Sequence, residues 1–355
     1  MGLSAVPGKD AVPATPRGSS LSWPRAVAMV LFIFGVPALF RHQSLVRTPF
    51  DETPVKLLNQ LKPDCVLLGD SMLGSRIDAE TLKQVSDIPC AILAYPGTAT
   101  AQWFLLLKNA IAARPHPPRW TIVFFRDRQL TMPTHRTGNR YRNGLEMCMR
   151  DDEPQFNSIL HRAEDDSTRW TERAASALYL IQRKRKDWQE NMLSGALKTV
   201  TRRAERNDVR AAAARIFSSK NGRADQNILD ARDGEESLNI VGHEFRANVE
   251  KSFLPPILEI ARASHTRLIF FRVKRRPDPG TSAIVDRPDL QKYQEELRAY
   301  LEGHEALLVD ETADPKVTFD YYSSDDHLRY EMMAPYTKQF WKEVKPLLGS
   351  AAPAE

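Results

Sequence analysis

The sequence predicts an α/β protein built on a doubly wound parallel sheet. Three observations carry that reading. Short apolar runs recur at 64–69, 90–95, 120–125, 267–273 and 306–310. Most are near-continuous rather than alternating, as expected of parallel strands covered on both faces. Stretches with helical spacing lie at 78–84, 101–113, 244–263 and 290–302, and one more at 330–347 follows the last strand. Strands alternating with helices imply right-handed crossovers on both faces of one sheet.

Each element follows from its residues. The first 22 positions are rich in Gly, Ser, Pro and Ala and lack periodicity, the composition of a disordered tail. An uninterrupted apolar run from 26 to 40 follows, bounded by Arg25 and Arg41. At ~1.5 Å per residue it is short for a hydrocarbon core of ~30 Å. Trp23 at the interface and snorkelling arginines lengthen it, so a single-pass signal anchor is expected over 23–41. Lys9, Arg17 and Arg25 favour an inside tail, whereas Arg41 and Arg47 oppose it. A buried N-terminal helix, or a signal peptide cut near Val36-Pro37-Ala38, are the alternatives.

After the anchor, 54–62 has helical spacing, and the first strand then runs into Gly69-Asp70-Ser71. The second strand ends in Ala94-Tyr95-Pro96-Gly97 and the third in Arg126-Asp127-Arg128. Ligands of open parallel sheets bind outside the carboxyl ends of the strands, where Ser71 and Gly97 both fall. The regularity breaks over about 128–243, with helical segments at 171–189 and 192–217 dense in Arg and Lys and then a polar stretch. That length exceeds any ordinary connection, so an inserted helical subdomain is expected within one domain spanning 42–347. Arg183-Lys184-Arg185-Lys186 and Arg202-Arg203 read as a solvated helix face or as a contact for anionic lipid or polymer. A small polar tail, 348–355, is expected to be disordered.

Composition excludes several classes. A net charge of +5 is mild and comes with no zinc-finger, helix-turn-helix or RNA-binding signature, so no nucleic-acid partner is expected. Cys65, Cys90 and Cys148 are too few for a disulfide framework. Cys65 and Cys90 read as packed thiols, with one bridge between them as the alternative in an oxidising compartment. No Cys/His spacing suits zinc, and Gly69 and Gly74 make no nucleotide fingerprint. No cofactor or metal is implied.

The chemistry rests on two segments. A serine becomes a nucleophile only when a base takes its proton and a partner fixes that base's tautomer. Ser71 at the tip of the first strand supplies the hydroxyl. Asp325-Asp326-His327, just ahead of the last helix, supplies a base and its carboxylate. Residues i and i+2 of an extended loop share a side, so Asp325 is the expected partner of His327 and Asp326 the second choice. The other reading of Gly-Asp-Ser is a tight turn in which Asp70 caps the next helix. Pro96-Gly97 is likewise readable as a plain turn. Seven further histidines, His42, His116, His135, His161, His243, His265 and His304, have no comparable neighbours and are assigned no role.

Gly69-Asp70-Ser71 after a strand resembles the first block of the SGNH/GDSL hydrolase superfamily. Gly97 after the second strand and Asp-His before the final helix resemble further blocks in the expected order. The resemblance covers about 63–127 and 245–347. It implies a three-layer α/β/α, five-stranded parallel flavodoxin-like (SGNH) sheet, here with the helical insertion and the N-terminal membrane anchor helix. It also implies Ser71 as nucleophile, His327 as base, Asp325 as its partner, and the N–H groups of Ser71 and Gly97 as oxyanion donors. Two departures stand out. The third block lacks its Asn and offers Arg126, which is expected to stabilise an oxyanion or hold substrate, or else to pair with its charged neighbours as the strand ends. The residue three before His327 is Ser324, not Asp. The Asp-x-His spacing is similar to that of the membrane-tethered branch that O-acylates cell-envelope polymers, including the alginate acetylation proteins. The resemblance therefore implies an extracytoplasmic, periplasmic serine esterase or O-acyltransferase. Its substrate would be an acylated carbohydrate, with a membrane-bound acyl-transfer partner. A catalytically silent scaffold binding glycan or an envelope assembly partner is the rival reading.

Overall fold

The computed structural model describes residues 48–138, 141–163, 243–281, 284–323 and 325–349. The expected tails, the anchor over 23–41 and the helical segments at 171–189 and 192–217 lie outside them. No helix among the described residues is long and apolar enough to cross a membrane.

Five parallel strands form one sheet: β1 (Cys65–Gly69), β2 (Cys90–Ala94), β3 (Trp120–Phe125), β4 (Arg267–Arg272) and β5 (Leu307–Asp310). Their order is β2-β1-β3-β4-β5, so the chain reverses direction of winding at β1 and β3. That reversal opens a crevice at the carboxyl ends of β1 and β3, the switch point at which such sheets bind ligands.

The period of two along each strand divides the core. Val66 and Leu68 of β1 face one layer with Val123, Phe125 and Phe270; Cys65 and Leu67 face the other with Ile122, Phe124 and Phe271. The first layer is closed by α1 (Thr53–Leu61), α4 (Thr100–Leu106), α8 (Leu254–Ala263) and α9 (Pro288–Glu302). The second is closed by α2 (Ser71–Arg76), α3 (Ala79–Val85) and α10 (Tyr330–Gly349). Phe340 of α10 stacks on Phe124 and Phe271 at 5.2 and 5.1 Å. Those contacts set the closing helix over the strands that lead into the crevice. The central strands are buried throughout, whereas the edge strand β2 is only alternately buried, because one of its sides has no neighbour.

Two helices differ from expectation. The segment 101–113 is not one α-helix: beyond α4 it continues as a π-helical turn, Leu107–Ile111. The wider turn is accompanied by bonds from Lys108 and Asn109 to the buried Glu153, which sits just before α6 (Pro154–Ala163). The expected helix over 244–263 is broken into α7 (Phe245–Asn248), a tighter turn Val249–Lys251, and α8. The Ser252 hydroxyl takes up the Val249 carbonyl, and Pro255 stands in the first turn of α8, where a missing N–H costs nothing. A short helix α5 (Arg142–Met147) falls within the stretch read as insert. The three cysteines are free thiols, Cys65 and Cys90 facing each other across β1 and β2.

Candidate active site

The turn after β1 requires its three residues. A Cβ at Gly69 would lie 2.9 Å from Leu73 Cβ and 3.0 Å from Phe124 Cβ, so only glycine allows α2 to fold back this closely. Asp70 then caps α2, its Oδ1 accepting the Met72 N–H at 2.8 Å. This is the turn that the plainer reading of Gly-Asp-Ser anticipated, and it leaves Ser71 as the first residue of α2, 1% exposed.

Beside it, Gly97 has φ +73°, a left-handed conformation that glycine adopts without strain, and a Cβ there would meet the Tyr141 ring at 3.2 Å. The third strand end contributes Arg126, which is buried. The expectation that Arg126, Asp127 and Arg128 pair with one another is not what is found. Each reaches a different element: Arg126 Nη1 donates to Asp326 Oδ2 at 3.2 Å, Asp127 accepts from Arg272 at 2.8 Å, and Arg128 donates to Asp289 at 2.6 Å. Asp127 sits at φ +40°, strain that the Arg272 bond holds in place. Burial works against the charge of Arg126, but Asp70, Asp326 and Asp127 outweigh it and keep the guanidinium protonated.

The loop ahead of α10 provides the imidazole. His327 Nδ1 and Asp325 Oδ1 are 2.8 Å apart, and the same oxygen accepts the His327 backbone N–H at 3.0 Å. The two residues therefore meet through a bend closed on the Asp325 side chain, not through the extended loop that sequence spacing suggested. Burial alone would raise the Asp325 pKa. The hydrogen bond and charge of His327, with help from Arg126, lower it instead. When Nδ1–H donates to the Asp325 carboxylate, Nε2 is left as the ring's acceptor. Asp326 turns away to Arg126 and to the Arg276 N–H at 2.8 Å.

What joins the two segments is Arg76, the last residue of α2, which sequence reasoning passed over. Its side chain is fully buried. Nη1 donates to the Asp326 carbonyl at 3.2 Å and Nη2 to the Lys274 carbonyl at 2.7 Å, and the guanidinium packs over the Tyr322 and Tyr336 rings. The helix that opens on Ser71 is thus tied directly to the residue preceding His327. Arg136 was passed over as well. It donates to Asp70 Oδ2 at 3.3 Å and to the Thr98 carbonyl at 3.2 Å, bridging the β1 and β2 loops. His135, assigned no role from sequence, is half-buried within the field of Arg136, Arg126 and Asp70. Desolvation, aided by the two arginines, drives its pKa down to about 3. No sequence signal marks these residues, since their partners come from distant segments. Among the described residues no group of three or more His, Cys, Asp or Glu side chains is placed to hold a metal ion.

Arg76 and Arg126 thus tie the helix that opens on Ser71 and the end of β3 to Asp326, the neighbour of the bonded Asp325–His327 pair, and Arg136 joins the loops after β1 and β2. No family model matches the chain. No curated protein matches it. Among solved structures, a Bacteroides fragilis protein described as an acylhydrolase aligns over 87% of this chain and 95% of its own, at 8% identity and a TM-score of 0.35. A GDSL-like lipase from Bacteroides thetaiotaomicron aligns over 79% of this chain and 88% of its own, at 9% identity and a TM-score of 0.32. Likenesses this distant add nothing to what the geometry supports.

Proposed function

We propose that the chain is an SGNH-type serine esterase or O-acyltransferase acting on an acylated carbohydrate or cell-envelope polymer. The observation that carries the proposal is the 2.8 Å contact of Asp325 with His327 in a loop that Arg76 ties to the helix opening on Ser71. In this reading Ser71 Oγ attacks the ester carbonyl carbon while His327 Nε2 takes its proton. The carbonyl electron pair moves onto oxygen, where the N–H groups of Ser71 and Gly97 receive it. His327 then returns the proton to the leaving alcohol, and an incoming water or sugar hydroxyl repeats the sequence in reverse. Asp325 orients the ring and stabilises its charged form. Arg126, buried and held protonated, adds positive field at the same strand ends. The segment 23–41 anchors the protein in the membrane with this domain in the periplasm, beside a membrane-bound acyl-transfer partner.

Ser71→Ala is expected to reduce turnover of p-nitrophenyl acetate by about 10⁵-fold or more with the fold intact. Wild-type turnover in that variant would end the proposal. The burial of Ser71 favours a second reading, a silent SGNH-like scaffold that binds glycan or an assembly partner. A fluorophosphonate separates the two, because only an activated serine is labelled.

A further inference from the structure

One buried donor in the turn after β3 has no acceptor among the described residues. Gln129 is 0% exposed, yet its Nε2 bonds to no atom among the described residues. Burying an amide donor without a partner is costly, and such groups cluster where a ligand or reacting atom completes them. The rest of Gln129 is tightly fixed. Its N–H donates to the Arg126 carbonyl at 2.9 Å, its carbonyl accepts from Thr100 Oγ1 at 2.6 Å, and its Oε1 accepts the Arg126 N–H at 3.1 Å. The last bond also settles which end of the amide carries the protons.

The direction of that amide follows from the sheet. The Phe125 carbonyl accepts the Val273 N–H at 3.0 Å and so points towards β4. Across a planar trans peptide the next N–H points the opposite way, so the Arg126 N–H points towards β1. The Gln129 carboxamide that caps it therefore lies on the β1 side of β3, over the strand tip that continues into Asp70 and Ser71. Thr100, its other partner, opens α4 three residues after Gly97. Gln129 is thus braced between the loops that follow β2 and β3, above the strand between them.

We infer that Gln129 is a catalytic residue whose Nε2–H donates to the oxyanion formed when Ser71 attacks an ester. The inference rests on the esterase reading above. A donor whose acceptor takes its place only once the carbonyl carbon is tetrahedral lowers a barrier without tightening ground-state binding.

Two substitutions separate this role from a structural one. Gln129→Glu keeps an oxygen for the Arg126 N–H but removes the donor; Gln129→Met removes both. With p-nitrophenyl acetate, both variants are expected to lose about 100-fold in kcat at little-changed KM. Both are also expected to lose a similar factor in the rate of fluorophosphonate labelling of Ser71, normalised to the folded fraction. That normalisation keeps the comparison decisive where a variant is less stable. If Gln129→Glu retains kcat within about threefold of wild type while Ser71→Ala is dead, the side chain is only a turn brace and the inference fails alone. If Ser71→Ala itself retains activity, the esterase reading fails and takes this inference with it.

Discussion

Replacing Arg76 by Met tests how the two halves of the site are joined. The substitution keeps an unbranched, buried side chain and removes the guanidinium. Two carbonyls, of Lys274 and Asp326, lose a charged donor, a loss of about 1.5–3 kcal/mol each when taken alone. The buried Glu311, whose pKa Arg76 pulls down against the effect of burial, also loses that counter-charge. These effects overlap, and removing one partner from such a buried charged set costs about 3–5 kcal/mol. For a domain of this size that is a fall of roughly 10 °C in Tm. The sign with pH follows from Glu311. Burial holds its folded pKa above the ordinary carboxylate value, and losing Arg76 raises it further. A carboxyl with a raised folded pKa opposes folding increasingly as pH climbs from the ordinary carboxylate value to the folded one, so the deficit is smallest in acid and grows as pH rises. Arg76→Met/Glu311→Gln should recover part of the loss. Thermal unfolding by circular dichroism at several pH values reads all of this. A midpoint within about 2 °C of wild type, or a deficit independent of pH, would refute the reasoning.

Two further predictions address the imidazoles. Asp325→Asn should lower kcat on an aryl ester by about 10³–10⁴-fold with the fold retained, because the ring loses the partner that fixes its tautomer. Asp326→Asn should instead lower Tm, through its bonds to Arg126 and Arg276, and leave the larger part of kcat. The reverse ranking of the two would assign the partner wrongly. His135, with a folded pKa of about 3 against an ordinary 6.5, contributes stability that is complete above pH 6.5 and is lost as pH falls from there towards 3. Its ring should therefore show no proton titration between pH 5 and 8 by NMR, and His135→Phe should flatten the acid limb of the stability curve. A ring that titrates near 6.5 contradicts its placement.

The sheet was legible because a strand buried on both faces leaves a mark that needs no partner: an apolar run such as 120–125 reads as β3 from its own residues. The strand tips were legible for the same reason, since Gly69, Ser71 and Gly97 follow such runs directly. The breaks in the helices were not. The turn at Val249–Lys251 and the wide turn at Leu107–Ile111 depend on contacts made by Ser252 and Glu153. The least legible residues were the buried arginines. Arg76 and Arg136 look like surface charges in sequence, and only the fold brings the carbonyls of Lys274 and Asp326, or the carboxylate of Asp70, within their reach. Arg126 drew attention by position, but its carboxylate partner comes from a loop 200 residues away.

The most direct measurement is to expose the intact protein to a fluorophosphonate, digest it, and locate the adduct by mass spectrometry in wild type and in His327→Ala. The account predicts a single adduct on Ser71 that forms at least 10³-fold more slowly without the imidazole. No adduct, an adduct on another serine, or labelling of Ser71 indifferent to His327 would contradict it.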